Sequence, residues 1–256
     1  MELHLEEKLK EVKGKAGIYY KDLLTGETVN YNGNDGFKPA SMVKLPAFMA
    51  VHSLVNQGKL SFNEKIKVKY EYRVPSCGAF NAFTDEPVVD LETLCFLMIV
   101  ISDNTAANII FDYVGIDVLN EEFRKMGLEK THIERKFFDS EGFKKGLSNM
   151  AVPAELGMLL EQVYRGTFVN KEVSEKILSV LLEQQCRWKI PAYIEERCQV
   201  ANKTGEADDI TGDAALILGD RPFVLVTIFN ETEAPETDEW IRHFARDIYN
   251  QKEKEQ

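Results

Sequence analysis

The spacing of apolar residues changes twice along the 256-residue chain, dividing it into strand, helix and strand again. Ala16-Gly17-Ile18-Tyr19-Tyr20 and Glu27-Thr28-Val29-Asn30-Tyr31 flank Thr25-Gly26, which predicts a β-hairpin. Ahead of it, Leu3, Leu5, Leu9 and Val12 have helical spacing, so an amphipathic first helix is expected over 3–13. A helical middle follows over 42–57 and then 91–113, where apolar content predicts burial on most faces. Further helices are expected over 118–126, 153–165 and 171–185. Strands return at 199–204, 213–218 and 222–230. The last contains the apolar run Phe223-Val224-Leu225-Val226-Thr227-Ile228-Phe229, the pattern of a central strand. A closing helix over 236–250 carries Trp240, Ile241, Phe244, Ala245 and Ile248 on one face.

Strands at both ends with helices between predict an α+β fold. One antiparallel sheet is built from both termini and flanked by helices, and an all-helical lobe is inserted. The α/β lobe is expected from 1–38 and 195–256 and the all-α lobe from 39–194, together forming a single composite catalytic unit. The cleft between the lobes is the expected place for a small-molecule site.

Composition changes this picture little. Hydrophobic residues are 44% and charged residues 29%, ordinary for a soluble globular protein. The formal net charge of −11, with no basic run interleaved with aromatics, excludes a nucleic-acid partner from the expectation. The first eight residues, Met1 to Lys8, lack a basic n-region, an apolar h-region and a small-residue cleavage site. The sequence as it stands therefore reads as cytoplasmic, or as extracytoplasmic where a signal has been removed. No apolar run is long enough to span a bilayer. Cys77, Cys95, Cys186 and Cys198 have no Cys-x-x-Cys spacing, and His4, His52, His132 and His243 are scattered. No metal site is expected. The cysteines read as reduced, mostly buried thiols with Cys77 in a loop, and the histidines as surface or packing residues.

Three short motifs carry chemistry. Ser41-Met42-Val43-Lys44 is S-x-x-K at the head of a helical pattern, Ser102-Asp103-Asn104 is S-D-N, and Lys203-Thr204-Gly205 is K-T-G at a strand end. Each alone is weak, but the ordered set arises by chance in roughly one chain in a thousand of this length. A serine hydroxyl needs a neighbouring base to attack at neutral pH. One helical turn puts Lys44 on the same face as Ser41. Lysine serves as a base only where burial or a nearby cation lowers its pKa, and Lys203 is expected to supply that cation. The backbone N–H of Ser41 stands where an oxyanion can be held. Ser102 can relay a proton to a leaving nitrogen, and Asn104 can hold Lys44 and a substrate amide. Lys203 and Thr204 can hold a substrate carboxylate, and the backbone after them, Gly205 and Glu206, can pair with an extended acyl side chain. Taken singly, Ser41 or Asp103 reads equally well as a helix cap.

Together these residues resemble the class A β-lactamase group of penicillin-recognising serine hydrolases, whose motif set is the same. Ile101 to Asn108 is similar to that family's S-D-N helix, and Leu182-Glu183-Gln184-Gln185 through Ile190-Pro191 to Glu206 is similar to its approach to K-T-G. The resemblance implies acylation of Ser41 by a β-lactam or related amide, catalysis by Ser41, Lys44 and Ser102, no cofactor, and action as a monomer. It also implies that Ser76, Cys77, Gly78 and Phe80 border the cleft mouth.

Two departures stand out. The family places a water-activating glutamate two residues after a loop arginine. If Arg135 is that arginine, the position holds Phe137, with Glu134, Asp139 and Glu141 nearby but out of register. No basic residue lies between Gly205 and Leu218, where relatives carry an arginine for the substrate carboxylate; Glu206, Asp208, Asp209 and Asp213 lie there instead. The expectation is competent acylation with slow or differently assisted deacylation. A D-Ala-type peptidase, amidase or esterase of the same superfamily is the enzymatic alternative. A penicillin-binding module acylated without turnover is the alternative of another class.

Overall fold

The structure, a computed structural model, describes residues 5–10 and 12–254. It begins with a short helix α1 (Leu5–Lys8), followed by β1 (Lys15–Asp22) and β2 (Thr28–Tyr31). The middle contains α2 (Lys44–Asn56), a small ribbon of β3 (Lys65–Lys67) and β4 (Val88–Asp90), then α3 (Leu91–Val100), α4 (Asn104–Val114), α5 (Ile116–Lys125), α6 (Ser140–Lys144), α7 (Pro153–Arg165) and α8 (Lys171–Leu182). The chain closes with β5 (Val200–Ala207), β6 (Ile210–Ile217), β7 (Phe223–Asn230) and α9 (Ala234–Lys254). The expected α+β arrangement is present. Of the expected first helix, Leu3 lies outside the described residues, and the described part is one helical turn.

The five-stranded sheet has the order β2-β1-β7-β6-β5 with every neighbour antiparallel. Residues near both ends of the chain thus meet in its centre, where all eight residues of β1 pair with all eight of β7. The unbroken apolar run of β7 follows from two covered faces. Val224, Val226 and Ile228 face the helical lobe, while Phe223, Leu225 and Phe229 pack with Ile241, Phe244 and Ile248 of α9. Alternation of side chains across a strand makes both sets apolar.

Helix α2 runs through the helical lobe with every residue from Lys44 to Leu54 buried. A lysine in that list is unusual, because a buried ammonium is costly unless its surroundings compensate.

One expected helix is two. The segment 91–113 breaks at Ile101-Ser102-Asp103, where Ser102 takes φ +57° and Asp103 caps α4 through its carboxylate and the Ala106 N–H (2.9 Å). Apolar periodicity continues across the break because both helices are buried, so the pattern conceals it. The Gln185 N–H and the Gln184 side-chain amide satisfy the carbonyls of Val100 and Ile99 at the end of α3 (2.9 and 2.8 Å).

Both faces of β7 being dry, Leu225→Ala and Ile228→Ala should each cost about 2–5 kcal/mol in chemical denaturation. A cheap loss at Ile228 would mean that the helical lobe does not seal that face.

Candidate active site

The nucleophile candidate Ser41 lies in a 3-10 turn (Ala40–Val43) that feeds directly into α2. Ala40 just before it has φ +45°, a conformation that costs a non-glycine residue about 1–3 kcal/mol and survives only where the surroundings enforce it. The enforcing element is β5. A Cβ on Gly205 would stand 2.4 Å from the Pro39 carbonyl oxygen and 2.8 Å from Met42 Cγ, so the strand backbone presses on the turn as only glycine allows. Ser41 is half-buried and lines two adjoining recesses of about 390 and 490 Å³.

Lys44 points back from the first turn of α2. Its Nζ is 3.0 Å from Ser41 Oγ, 2.7 Å from the Ser102 carbonyl oxygen, 2.7 Å from Asn104 Oδ1 and 3.2 Å from Ser102 Oγ. The two shortest contacts are to atoms that only accept. A neutral amine has two N–H groups to give them and one lone pair left for the Ser41 hydroxyl. Burial lowers the Lys44 pKa well below its ordinary value, and the Lys203 cation adds to the effect. The Phe137 ring lies 4.4 Å from the same nitrogen and favours the charged form. A cation–π contact is worth about 0.5–2 kcal/mol, too little to offset the desolvation of a fully buried ammonium, so burial decides. The arrangement can accept the Ser41 proton.

The second motif supplies one wall. Ser102 Oγ lies between two lysines, 3.2 Å from Lys44 Nζ and 3.0 Å from Lys203 Nζ. Asp103 faces away from the cleft. Besides capping α4, it accepts the backbone N–H groups of Ala79 (2.7 Å) and Phe80 (3.4 Å). A Cβ on Gly78, which has φ +134°, would stand 2.3 Å from this carboxylate. The Asn104 N–H donates to the Cys77 carbonyl at 3.1 Å. These bonds hold the loop over the cleft, with Ser76 and exposed Cys77 lining both recesses. Phe80 does not border the mouth. It is 1% exposed and packs in the helical-lobe core, because its N–H is drawn to Asp103 and its ring follows the chain inward. Gly78 likewise serves the Asp103 contact and lines neither recess.

The third wall is β5. Lys203 is fully buried and donates to Ser102 Oγ and to the Thr204 carbonyl (2.8 Å). Burial brings its pKa down to about 8, partly offset by Asp213. Thr204 and Glu206 line the cleft, and Glu206 is exposed. Behind the strand stands a cation overlooked by the motif reading. Buried Lys189 contacts Asp238 Oδ1 (3.0 Å), Glu206 Oε2 (3.3 Å), the Gly205 carbonyl (3.4 Å) and the Thr211 hydroxyl. Its only sequence signal is a lone charge in Trp188-Lys189-Ile190-Pro191, and nothing local tells that it reaches β5. Asp213 is buried too, accepting from Asn202 Nδ2 (3.1 Å) and the Ile190 N–H (3.2 Å), and burial pushes its pKa up to about 6.

The fourth wall is the segment after Arg135. Phe137 is clamped by Asn108, whose side chain donates to the Phe137 carbonyl (2.9 Å) and accepts its N–H (2.8 Å). Asn108 is missing from the motif set, although its spacing one turn after Asn104 on α4 puts both amides on one face. The three acids near Phe137 are engaged elsewhere. Asp139 caps α6 through the Gly142 N–H (2.9 Å), Glu141 pairs with Lys144 (2.8 Å), and Glu134 accepts the Ser148 N–H (2.7 Å). None of them lines either recess, whereas Arg135, Phe137 and Phe138 line the larger one. Glu134, Asp139 and Glu141, out of register in the sequence, are thus also turned to other partners in the fold.

A family model described as the beta-lactamase enzyme family matches residues 3–251. The BRO-1 beta-lactamase of Moraxella catarrhalis is 26% identical over 200 residues, covering 75% of this chain and 62% of its own length. Beta-lactamase 3 of Bacillus cereus is 28% identical over 242 residues, covering 91% and 75%. The solved structure of PBP-A superposes with a TM-score of 0.89 at 25% identity, covering 99% of this chain and 97% of that one. A PBP-A mutant solved as an acyl-enzyme complex with penicillin G gives 0.87 at 26% identity, covering 98% and 94%.

Asp103→Ala removes a helix cap and leaves the loop amides without a partner. It should cost about 2–4 kcal/mol in thermal or chemical denaturation. It should also speed the labelling of Cys77 by a thiol reagent, as the loop comes free.

Proposed function

The chain belongs to the beta-lactamase enzyme family, and from that membership we propose that it is an active-site serine hydrolase acylated at Ser41 by a β-lactam or a related amide. The observation that carries this reading is the Lys44 amine, buried, depressed in pKa and 3.0 Å from Ser41 Oγ. Its fold is that of the class A β-lactamases.

In this reading Lys44 takes the Ser41 proton while Oγ attacks the amide carbonyl. The developing oxyanion is held by backbone N–H groups at the Ser41 turn. The C–N bond then breaks, and the leaving nitrogen takes a proton from Ser102. That hydroxyl is replenished through the amines within 3.2 Å of it. Lys203 and Thr204 hold a substrate carboxylate, with Asn104 on the acyl amide. Water finally hydrolyses the Ser41 ester. Beside the cleft, Glu206 and Asp238 neutralise Lys189, which lowers the attraction for a second anionic group.

Deacylation is the slow half. An aromatic ring covers Lys44 where relatives of this fold would have a carboxylate to activate water, and the nearby acids are bonded elsewhere. This observation favours a second reading, a penicillin-binding protein that acylates and holds its product. Intact-mass spectrometry during incubation with a penicillin decides between them. A persisting adduct on wild type, absent in Ser41→Ala, is the expected result. Phe137→Glu should shorten the adduct lifetime by about 10- to 100-fold by adding a general base. No adduct and no turnover would overturn acylation by β-lactams.

The lysines set the pH dependence. Both have lowered pKa values, so each loses its proton at a lower pH than a free lysine. Acylation should rise with pH as Lys44 becomes neutral. For a carboxylate-bearing substrate it should fall again above about pH 8, where Lys203 loses its charge. A neutral ester substrate should lack the descending limb.

A further inference from the structure

On the side of the helical lobe formed by α2, α3 and α8 is a recess of about 300 Å³, lined by Phe48, His52, Phe62, Phe96, Lys176 and Val180 among others. It shares no lining residue with the recesses around Ser41. His52 is 3% exposed, and its ring is held edge-on between Phe48 (4.6 Å) and Phe62 (4.8 Å). Among the described residues no hydrogen bond reaches either imidazole nitrogen, and the ring lines the recess. We propose that this recess binds an uncharged, ring-sized molecule bearing one hydroxyl, of the phenol class, with its ring among the aromatic side chains and its hydroxyl on His52.

The chemistry of the lining selects that class. The charged groups at the rim are already engaged: Lys176 pairs with Glu92 at 2.7 Å and lies 4.5 Å from the Phe62 ring, and Asp90 caps α3 and pairs with Lys65 at 3.1 Å. A charged ligand would have to break one of these pairs. Burial, assisted by the Lys176 cation, lowers the His52 pKa to about 3, so at neutral pH the ring is neutral and offers one N–H and one lone pair. A single hydroxyl satisfies one of them. Cys95 adds another apolar surface, since burial raises its thiol pKa and keeps it protonated. Phe96, 40% exposed at the rim, gives the ligand ring a face to rest on, and the volume is at the small end of ligand pockets.

The test uses phenol and toluene, two rings of similar size that differ in the hydroxyl, titrated into the whole protein with the His52 imidazole followed by NMR. Phenol is expected to bind saturably, to shift the His52 nitrogen signals, and to bind about fivefold more tightly than toluene, the worth of one hydrogen bond of about 1 kcal/mol. His52→Phe should erase the preference by weakening phenol alone. Val180→Trp, which fills the recess from α8 and leaves His52 in place, should abolish binding of both. Equal binding of the two probes, phenol binding that leaves His52 unmoved, or binding that survives Val180→Trp would each overturn the proposal.

Discussion

A lysine ammonium with no exposed surface lies where the turn before α2, the break between α3 and α4, and the loop through Phe137 meet. Desolvating a charge costs more than any single contact there returns, so the group is driven toward its neutral form. Much of the local architecture keeps that junction dry and its acceptors aimed. Ser102 offers a carbonyl at 2.7 Å only because the chain breaks helix geometry at φ +57°. Asn104 offers its amide oxygen because Asp103 starts a new helix directly before it. The strain at Ala40 and Ser102 is held by packing at Gly205 and capping at Asp103, both outside the reacting atoms.

The same low-dielectric environment governs the third wall. Lys203, Asp213 and Lys189 are all fully buried; Asp213 raises the Lys203 pKa and Lys189 lowers it, while both lysines hold that of Asp213 down. Two buried cations beside one strand would repel. The carboxylates of Asp213, Asp238 and Glu206 offset them, and only Glu206 is exposed to the cleft. An acid-rich stretch after the third motif looks hostile to an anionic substrate when read as a line of charges. In space, part of that acidity is spent on Lys189, which lies before the motif in sequence and behind it in the fold.

In the proposed reaction Phe137 sets packing against turnover. Its ring closes the junction above Lys44 and stacks on Phe111 (5.9 Å), and Asn108 fixes its backbone at both polar atoms. A carboxylate there would bring charge, a proton acceptor and water to a place now filled by carbon. The lysine is thereby shielded, and in the proposed reaction the covalent intermediate is left without a nearby base.

The chain's residue types by themselves determined the reacting set, Ser41, Lys44, Ser102, Asn104 and Lys203, as a proposal, because the chemistry demands those side chains in that order. They also determined the two-sided core strand and the composite sheet, because hydrophobic periodicity is written locally. The break at Ser102 was illegible, since burial on both sides keeps the apolar pattern running through it. The inward turn of Phe80 depends on amides reaching Asp103, the cation at Lys189 on a strand over ten residues further on, and the idle acids near Phe137 on caps and pairs formed elsewhere. Contacts between distant segments decide which polar groups remain free, and only the folded chain brings those segments together.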